Sequence, residues 1–187
     1  MRIISGKFRS RKLKGLRGAA LRPTSDRLRE TLFNILGSAI EESLFIDAYA
    51  GTGAVGLEAL SRGAREVFFI EKHPAALTAI RANLRSLHIE SQATVLACEA
   101  LQGLEILRAR KLRADFVFLD PPYAASEEYA RALAWLDGSA LLNPTSLVIV
   151  EHDKRRQLPE KLAQLVRMRT VIQGDAALSF YRPTGLA

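Results

Sequence analysis

Five short apolar runs, Leu44–Tyr49, Val67–Glu71, Thr94–Ala97, Phe116–Asp120 and Leu147–Glu151, alternate with helical patterns at Ala54–Ser61, Ala75–Leu87, Leu101–Arg110 and Glu127–Leu136. Strands separated by whole helices run parallel, because each crossover returns the chain to the same end of the sheet. The crossover helices then cover both faces, which is why such strands read as nearly unbroken apolar runs. The end of the chain departs from this rhythm. After a helix predicted near Pro159–Leu165, the runs Met168–Gln173 and Ala177–Tyr181 flank Gly174-Asp175. Strands joined that tightly are antiparallel. The pattern predicts a mostly parallel α/β sheet with an antiparallel hairpin at one side.

A second pattern precedes the first strand. Arg2 to Lys14 mixes Ile3, Phe8 and Leu13 with cations around Gly6, and reads as a small basic hairpin. Thr24 or Ser25 can cap a helix that has Asp26 in its first turn, carries Leu28, Leu32, Phe33, Ile35 and Leu36, and ends near Gly37. At 187 residues this is effectively one domain, with residues 1–40 as a basic extension packed on a core of residues 41–187. Of the net charge of +7, much sits in the extension: Arg2, Lys7, Arg9, Arg11, Lys12, Lys14, Arg17, Arg22, Arg27 and Arg29 face only Asp26 and Glu30. A block like that suits a polyanion, and Lys7, Arg9, Arg11, Lys12, Lys14 and Arg22 are the candidate residues for holding it. Arg27 and Arg29 could equally pair with Asp26 or Glu30.

Composition narrows the setting. No apolar stretch approaches a membrane span of roughly 20 residues, and the basic N-terminus runs into Gly6-Lys7-Phe8-Arg9 instead of a signal-peptide core. Cys98 is the single cysteine, so no intrachain disulfide forms; a reducing cytoplasm is the expected compartment and Cys98 is read as a packing residue. His73, His88 and His152 lack ligand-like spacing, so no metal site is expected.

The first strand leads into Asp47-Ala48-Tyr49-Ala50-Gly51-Thr52-Gly53-Ala54-Val55-Gly56, a G-x-G-x-x-G turn that brings a ligand against the backbone and a helix N-terminus. Glu71 follows at the end of the second strand, where an acid can take two ribose hydroxyls. This pairing suits a nicotinamide-dependent oxidoreductase as well as a nucleoside-binding methyltransferase. Asp47 favours the second, since a carboxylate there repels a pyrophosphate and attracts an ammonium group. S-adenosylmethionine carries a cationic amino group and a sulfonium and no phosphate. The candidate cofactor residues are Asp47, Ala50, Gly51, Thr52, Gly53, Gly56, Glu71, Lys72 and Glu99, with Glu99 either reaching an adenine amino group or capping the next helix.

Asp120-Pro121-Pro122-Tyr123 ends the apolar run of the fourth strand. Neither proline has an N–H to give a sheet, and each has φ fixed near −65°. The result is a stiff loop with one carboxylate, bare carbonyls and an aromatic face, which suits a planar base with an exocyclic amino group. Asp120 and the Pro121 carbonyl can accept the two N–H bonds, with Tyr123 stacking on the ring; Asp120, Pro121, Pro122 and Tyr123 are the candidate catalytic residues. Ligands of open α/β sheets sit outside the carboxyl ends of the strands at the switch point, so the first and fourth strands are the expected neighbours. A base inside a duplex cannot reach such a pocket and must be unpaired or flipped out.

With these residues, the chain resembles the RsmD-type family of bacterial 16S ribosomal RNA guanine-(2-amino) methyltransferases. The resemblance rests on Arg2–Gly6, Arg22-Pro23-Thr24-Ser25-Asp26-Arg27-Leu28-Arg29-Glu30-Thr31-Leu32-Phe33-Asn34, the Asp47–Glu58 loop, Asp120–Tyr123, and Gly174-Asp175 leading to Leu178–Tyr181. Gln173 stands where an aromatic residue is common. The resemblance implies a class I, Rossmann-like methyltransferase fold with seven strands and an antiparallel last strand. It also implies S-adenosylmethionine as donor and one guanine of 16S rRNA as target, on an assembled or assembling small ribosomal subunit. A cytoplasmic monomer is expected. Competing readings are an amino methyltransferase of DNA adenine, a nicotinamide-dependent oxidoreductase, and a non-enzymatic RNA-binding protein.

Overall fold

The computed structural model describes residues 1–15, 25–122 and 125–185. Seven strands form one sheet: β1 (Leu44–Asp47), β2 (Glu66–Glu71), β3 (Ala93–Ala97), β4 (Ala114–Leu119), β5 (Leu142–Asp153), β6 (Leu165–Gln173) and β7 (Ala176–Pro183). Their spatial order is β3-β2-β1-β4-β5-β7-β6. The first five strands in that row run parallel, and β7 lies antiparallel between β5 and β6. The helices are α1 (Asp26–Leu36), α2 (Ala54–Ser61), α3 (Pro74–Leu87), α4 (Ala100–Ala109) and α5 (Ser126–Leu136).

Two-residue periodicity sorts the strand side chains into two cores. Phe45, Val67, Phe69, Phe116, Phe118 and Ile149 pack with α1, α2 and α3 on one face. Ile46, Phe68, Ile70, Val117, Leu119, Val148 and Val150 pack with α4 and α5 on the other. At the carboxyl ends of β1, β2 and β5 the next residues on the first face are Asp47, Glu71 and Glu151. A single rule of alternation therefore brings three acids to one end of the sheet on the same face.

The basic hairpin closes through a bridge between Arg2 and Lys12 and is built into the first core, with Ile3 and Leu13 buried there. It lies along α2. The buried Glu58 carboxylate accepts from the backbone N–H groups of Ile4 (2.8 Å) and Ser5 (3.0 Å) and from Arg62 Nε (2.9 Å). Lys7 N–H donates to the Ser61 carbonyl at 2.7 Å, at the far end of the same helix. Arg29, fully buried, donates to the Arg2 carbonyl, pairs with Asp26 at 3.0 Å and lies 3.7 Å from Glu58. Its role is structural. Burial pulls its guanidinium below the ordinary value, while Glu58 and Asp26 oppose that shift. Arg27 is exposed on the other side of α1, where its Nε reaches the Gln173 amide oxygen at 2.8 Å once that amide is turned to donate to Thr31 Oγ1. Ser25 caps α1 by accepting from Leu28 N–H, and Gly37 ends the helix; Thr24 lies outside the described residues.

The helix expected near Pro159–Leu165 is not formed. The N–H groups of Ala163 and Gln164 donate to the Asp137 carboxylate at 3.0 and 2.7 Å, leaving them unavailable to an i→i−4 ladder. Leu162 N–H bonds the Leu165 carbonyl and Arg167 N–H bonds the Glu160 carbonyl, so the segment folds back as a tight turn into β6. β6 accordingly begins at Leu165, three residues before the expected Met168. No helix among the described residues is long and apolar enough to cross a membrane.

Candidate active site

The strand order reverses between β1 and β4, which pair in parallel with Asp47 beside Phe118. Both loops singled out by sequence leave the sheet at this crevice. After β1 the chain turns, with Ala48 N–H bonding the Phe118 carbonyl and Ala50 N–H bonding the Ile70 carbonyl, so β1 ends before Tyr49. Gly53 caps α2 at φ 79°, in the left-handed region that glycine enters without strain. Gly56 allows close helix–sheet packing: a Cβ there would stand 2.3 Å from the Phe69 ring. At Gly51, by contrast, a Cβ would meet nothing within 4 Å, so this turn borders open space.

The acids shape this loop from below. Asp47 is 2% exposed, and its Oδ2 accepts from Gly56 N–H at 3.0 Å, satisfying an orphan donor in the first turn of α2. It therefore lies beneath the rim where sequence placed it. Glu71 accepts from Gly51 N–H through Oε2 and from Lys72 and His73 N–H through Oε1, each at 2.8 Å. Oε1 is filled by its two N–H partners, while Oε2 retains a further lone pair for a ligand hydroxyl. Glu99 precedes α4 but makes no side-chain cap; it pairs instead with Lys72 Nζ at 3.1 Å, both residues being solvent-exposed. Ala50 is buried, and Thr52 is half-buried with its carbonyl 3.4 Å from Asn83 Nδ2.

Across the crevice, Asp120 lies one residue beyond β4, half-buried, with Pro121 buried and Pro122 exposed. The Pro122 carbonyl accepts from Ala125 N–H at 2.8 Å. Tyr123 falls outside the described residues, as does Arg22. Lys7, Arg9, Arg11, Lys12 and Lys14 are all exposed on the hairpin.

Electrostatically the crevice is acidic. Burial pushes the Asp47 carboxyl up to about 7, opposed by the Gly56 N–H and reinforced by Glu71 and Glu151. Burial also holds the Asp120 carboxyl well above its usual range, with Glu151 and then Asp47 adding to the shift. Clustered carboxylates on a low-dielectric floor favour a positively charged ligand. No three of the described His, Cys, Asp and Glu side chains group as a metal site.

Three residues that sequence reasoning passed over join the site. Glu151 obeys the same strand-end rule that picked out Asp47 and Glu71, and could have been found by it. Asn83, buried on α3, accepts from Lys14 N–H at 2.8 Å and donates to the Lys14 and Thr52 carbonyls, tying the basic hairpin to the glycine turn. A polar residue on an apolar helix face was its one signal. Tyr129 of α5 donates to the Pro121 carbonyl at 3.0 Å, and nothing in the helical pattern marks it out from a core aromatic.

A seven-stranded sheet in this order, with a glycine turn and an acid after β1 and β2, defines a class I methyltransferase fold. The same fold, at 15% identity and a TM-score of 0.64, is that of an RNA methyltransferase from Salinibacter ruber solved with S-adenosyl-L-homocysteine, over 89% of this chain and 97% of that one. The family described as Conserved hypothetical protein 95 matches residues 1–182, and the chain belongs to it: this is the RsmD-type family that the sequence resembles. A Haemophilus influenzae relative named Ribosomal RNA small subunit methyltransferase D is 38% identical over 92% of this chain and 90% of its own length. A solved Thermus thermophilus hypothetical protein is 32% identical with a TM-score of 0.80, over 96% of this chain and 98% of that one.

Proposed function

We propose that this chain transfers a methyl group from S-adenosylmethionine to the exocyclic 2-amino group of a guanine in 16S rRNA, on an assembled or assembling small ribosomal subunit. The observation that carries the reading is the pairing of β1 with β4, which puts Asp120-Pro121 across one crevice from the Gly51–Gly56 turn. Family membership and the name of the Haemophilus relative support the RNA substrate.

Asp47, Glu71 and the glycine turn, with Ala50, Thr52, Lys72 and Glu99 around it, fit the donor: Glu71 takes its ribose, Asp47 supplies negative charge from beneath the turn for its cationic groups, and the open side of Gly51 admits it. When bound, S-adenosylmethionine supplies a methyl group on a positively charged sulfur. Asp120 and the Pro121 carbonyl accept the two N–H bonds of the guanine amino group and turn its lone pair toward that carbon. A C–N bond forms as the C–S bond breaks, and the acidic methylated nitrogen sheds its proton to water. Positioning and preorganised acceptors do the work, so no strong base is needed. Tyr123 stacks on the base. Lys7, Arg9, Arg11, Lys12, Lys14 and Arg22, on an extension of residues 1–40, hold phosphates without reading sequence.

Labelled methyl should enter small-subunit particles that lack the modification, and nucleoside mass analysis should find it on the guanine 2-amino group. Incorporation into DNA adenine instead, or none at all, overturns the reading.

Asp47 makes cofactor binding pH-dependent. Burial pushes its carboxyl up to about 7, and a cationic ligand favours the ionised form. An adjacent opposite charge lowers a carboxyl pKa by roughly 1–3 units, so affinity should rise about tenfold or more between about pH 5.5 and 8.5. Calorimetric titration across that range checks this, and Asp47→Asn should flatten the profile.

A further inference from the structure

Two consecutive prolines leave the catalytic loop without backbone donors at its central positions, so it can be anchored there only by what its carbonyls accept. The Pro122 carbonyl takes Ala125 N–H, which is local. The Pro121 carbonyl takes the Tyr129 hydroxyl at 3.0 Å, and that bond is entirely buried. Tyr129 is 2% exposed, in a row on α5 with Ala132, Leu133 and Leu136 that packs on the second core. Packing alone would be met by phenylalanine, and a hydroxyl placed in such a layer is costly unless bonded. From the other side Arg156, in the connection between β5 and β6, lies with its guanidinium 4.4 Å from the Tyr129 ring centre and donates to Ser126 Oγ at 3.2 Å. The ring is held between the sheet and this cation, and its hydroxyl is aimed by both.

We propose that Tyr129 is a positioning residue for methyl transfer, fixing the Pro121 carbonyl as the second acceptor for the substrate amino group, with Arg156 fixing Tyr129. The inference rests on the reading of Asp120-Pro121 as the amino-binding pair. A carbonyl oxygen has two lone pairs, so the Tyr129 hydroxyl and one substrate N–H are served together. An acceptor that drifts by an ångström loses alignment of the nitrogen lone pair, and misplacement on that scale can cost about 10²-fold in rate. The Tyr129 hydroxyl acts on the Pro121 carbonyl, on the substrate side of the crevice, so its effect belongs to the rate at saturation and not to affinity.

The test is Tyr129→Phe, which keeps the ring and removes the hydroxyl with its bond to the Pro121 carbonyl. Single-turnover methyl transfer to undermethylated small-subunit particles should slow about tenfold or more, with the dissociation constants of S-adenosylmethionine and of the particle unchanged. Arg156→Met should slow the same step by a smaller factor, and it decides the matter if Tyr129→Phe does not fold. A variant as fast as the parent overturns the proposal, as does a loss of rate matched by equal losses of both affinities. Activity of the parent protein in the same assay separates the two ideas: without it the amino-transfer reading itself falls.

Discussion

Asp120→Ala is expected to lower methyl transfer by about 10²–10³-fold, the loss seen when one preorganised hydrogen-bonding group is removed from a reacting centre. Cofactor affinity should hold, because the proposed donor contacts lie on the β1 and β2 side. The same substitution should not weaken the fold. Burial, with Glu151 and Asp47 behind it, raises the Asp120 carboxyl well above its unfolded value. Its contribution to stability is then complete below the unfolded pKa and is lost as pH rises through the folded one. At neutral pH the parent carries an ionised or reluctantly protonated acid that alanine lacks, so the variant should melt at the same temperature or higher. That advantage should vanish below about pH 4, where the unfolded carboxyl is protonated too. Thermal melts at the two pH values, beside methyl-transfer assays, check both halves. Cofactor affinity lost in parallel with activity would make Asp120 a structural residue.

Glu58→Ala should cost about 3–5 kcal/mol, as expected when one partner of a buried ion pair is removed. Glu58 receives two backbone N–H groups of the hairpin and Arg62 Nε, and stands 3.7 Å from the buried Arg29. Its loss leaves an arginine with two unbonded guanidinium nitrogens in the core with less compensating charge. A chain of this size loses roughly 2–4 °C of melting temperature per kcal/mol, giving a fall of about 10 °C. Glu58→Gln keeps an acceptor oxygen and should fall less. Protease cleavage within residues 1–15 should also rise in Glu58→Ala. A melting temperature equal to the parent's would show that the hairpin is a loose appendage.

Much of the architecture was legible because its signals are local. The strand and helix patterns that flank the crevice needed only periodicity and glycine or proline punctuation, and α2 runs over Ala54–Ser61 as expected. The missing helix near Pro159–Leu165 shows the limit. Its N–H groups are taken by Asp137, which lies about 26 residues earlier in the chain, and no window-sized reading contains that competitor. Arg29 illustrates the same gap: charge composition marked it as a cation for RNA or for a neighbouring acid, and distant Glu58 made it part of the core.

Amino-acid order alone settled the alternation of strands and helices, the glycine turn after the first strand and the rigid Asp120-Pro121-Pro122 stop, since each follows from backbone sterics and side-chain period over a few residues. Folding decided which groups face one another: Asp47 beneath the turn instead of at its lip, Glu151 beside Asp120, Tyr129 on the Pro121 carbonyl, Asn83 between hairpin and loop. Those relations depend on strand order and on helices packed across the sheet, where partners far apart in the chain meet and compete for the same hydrogen bonds.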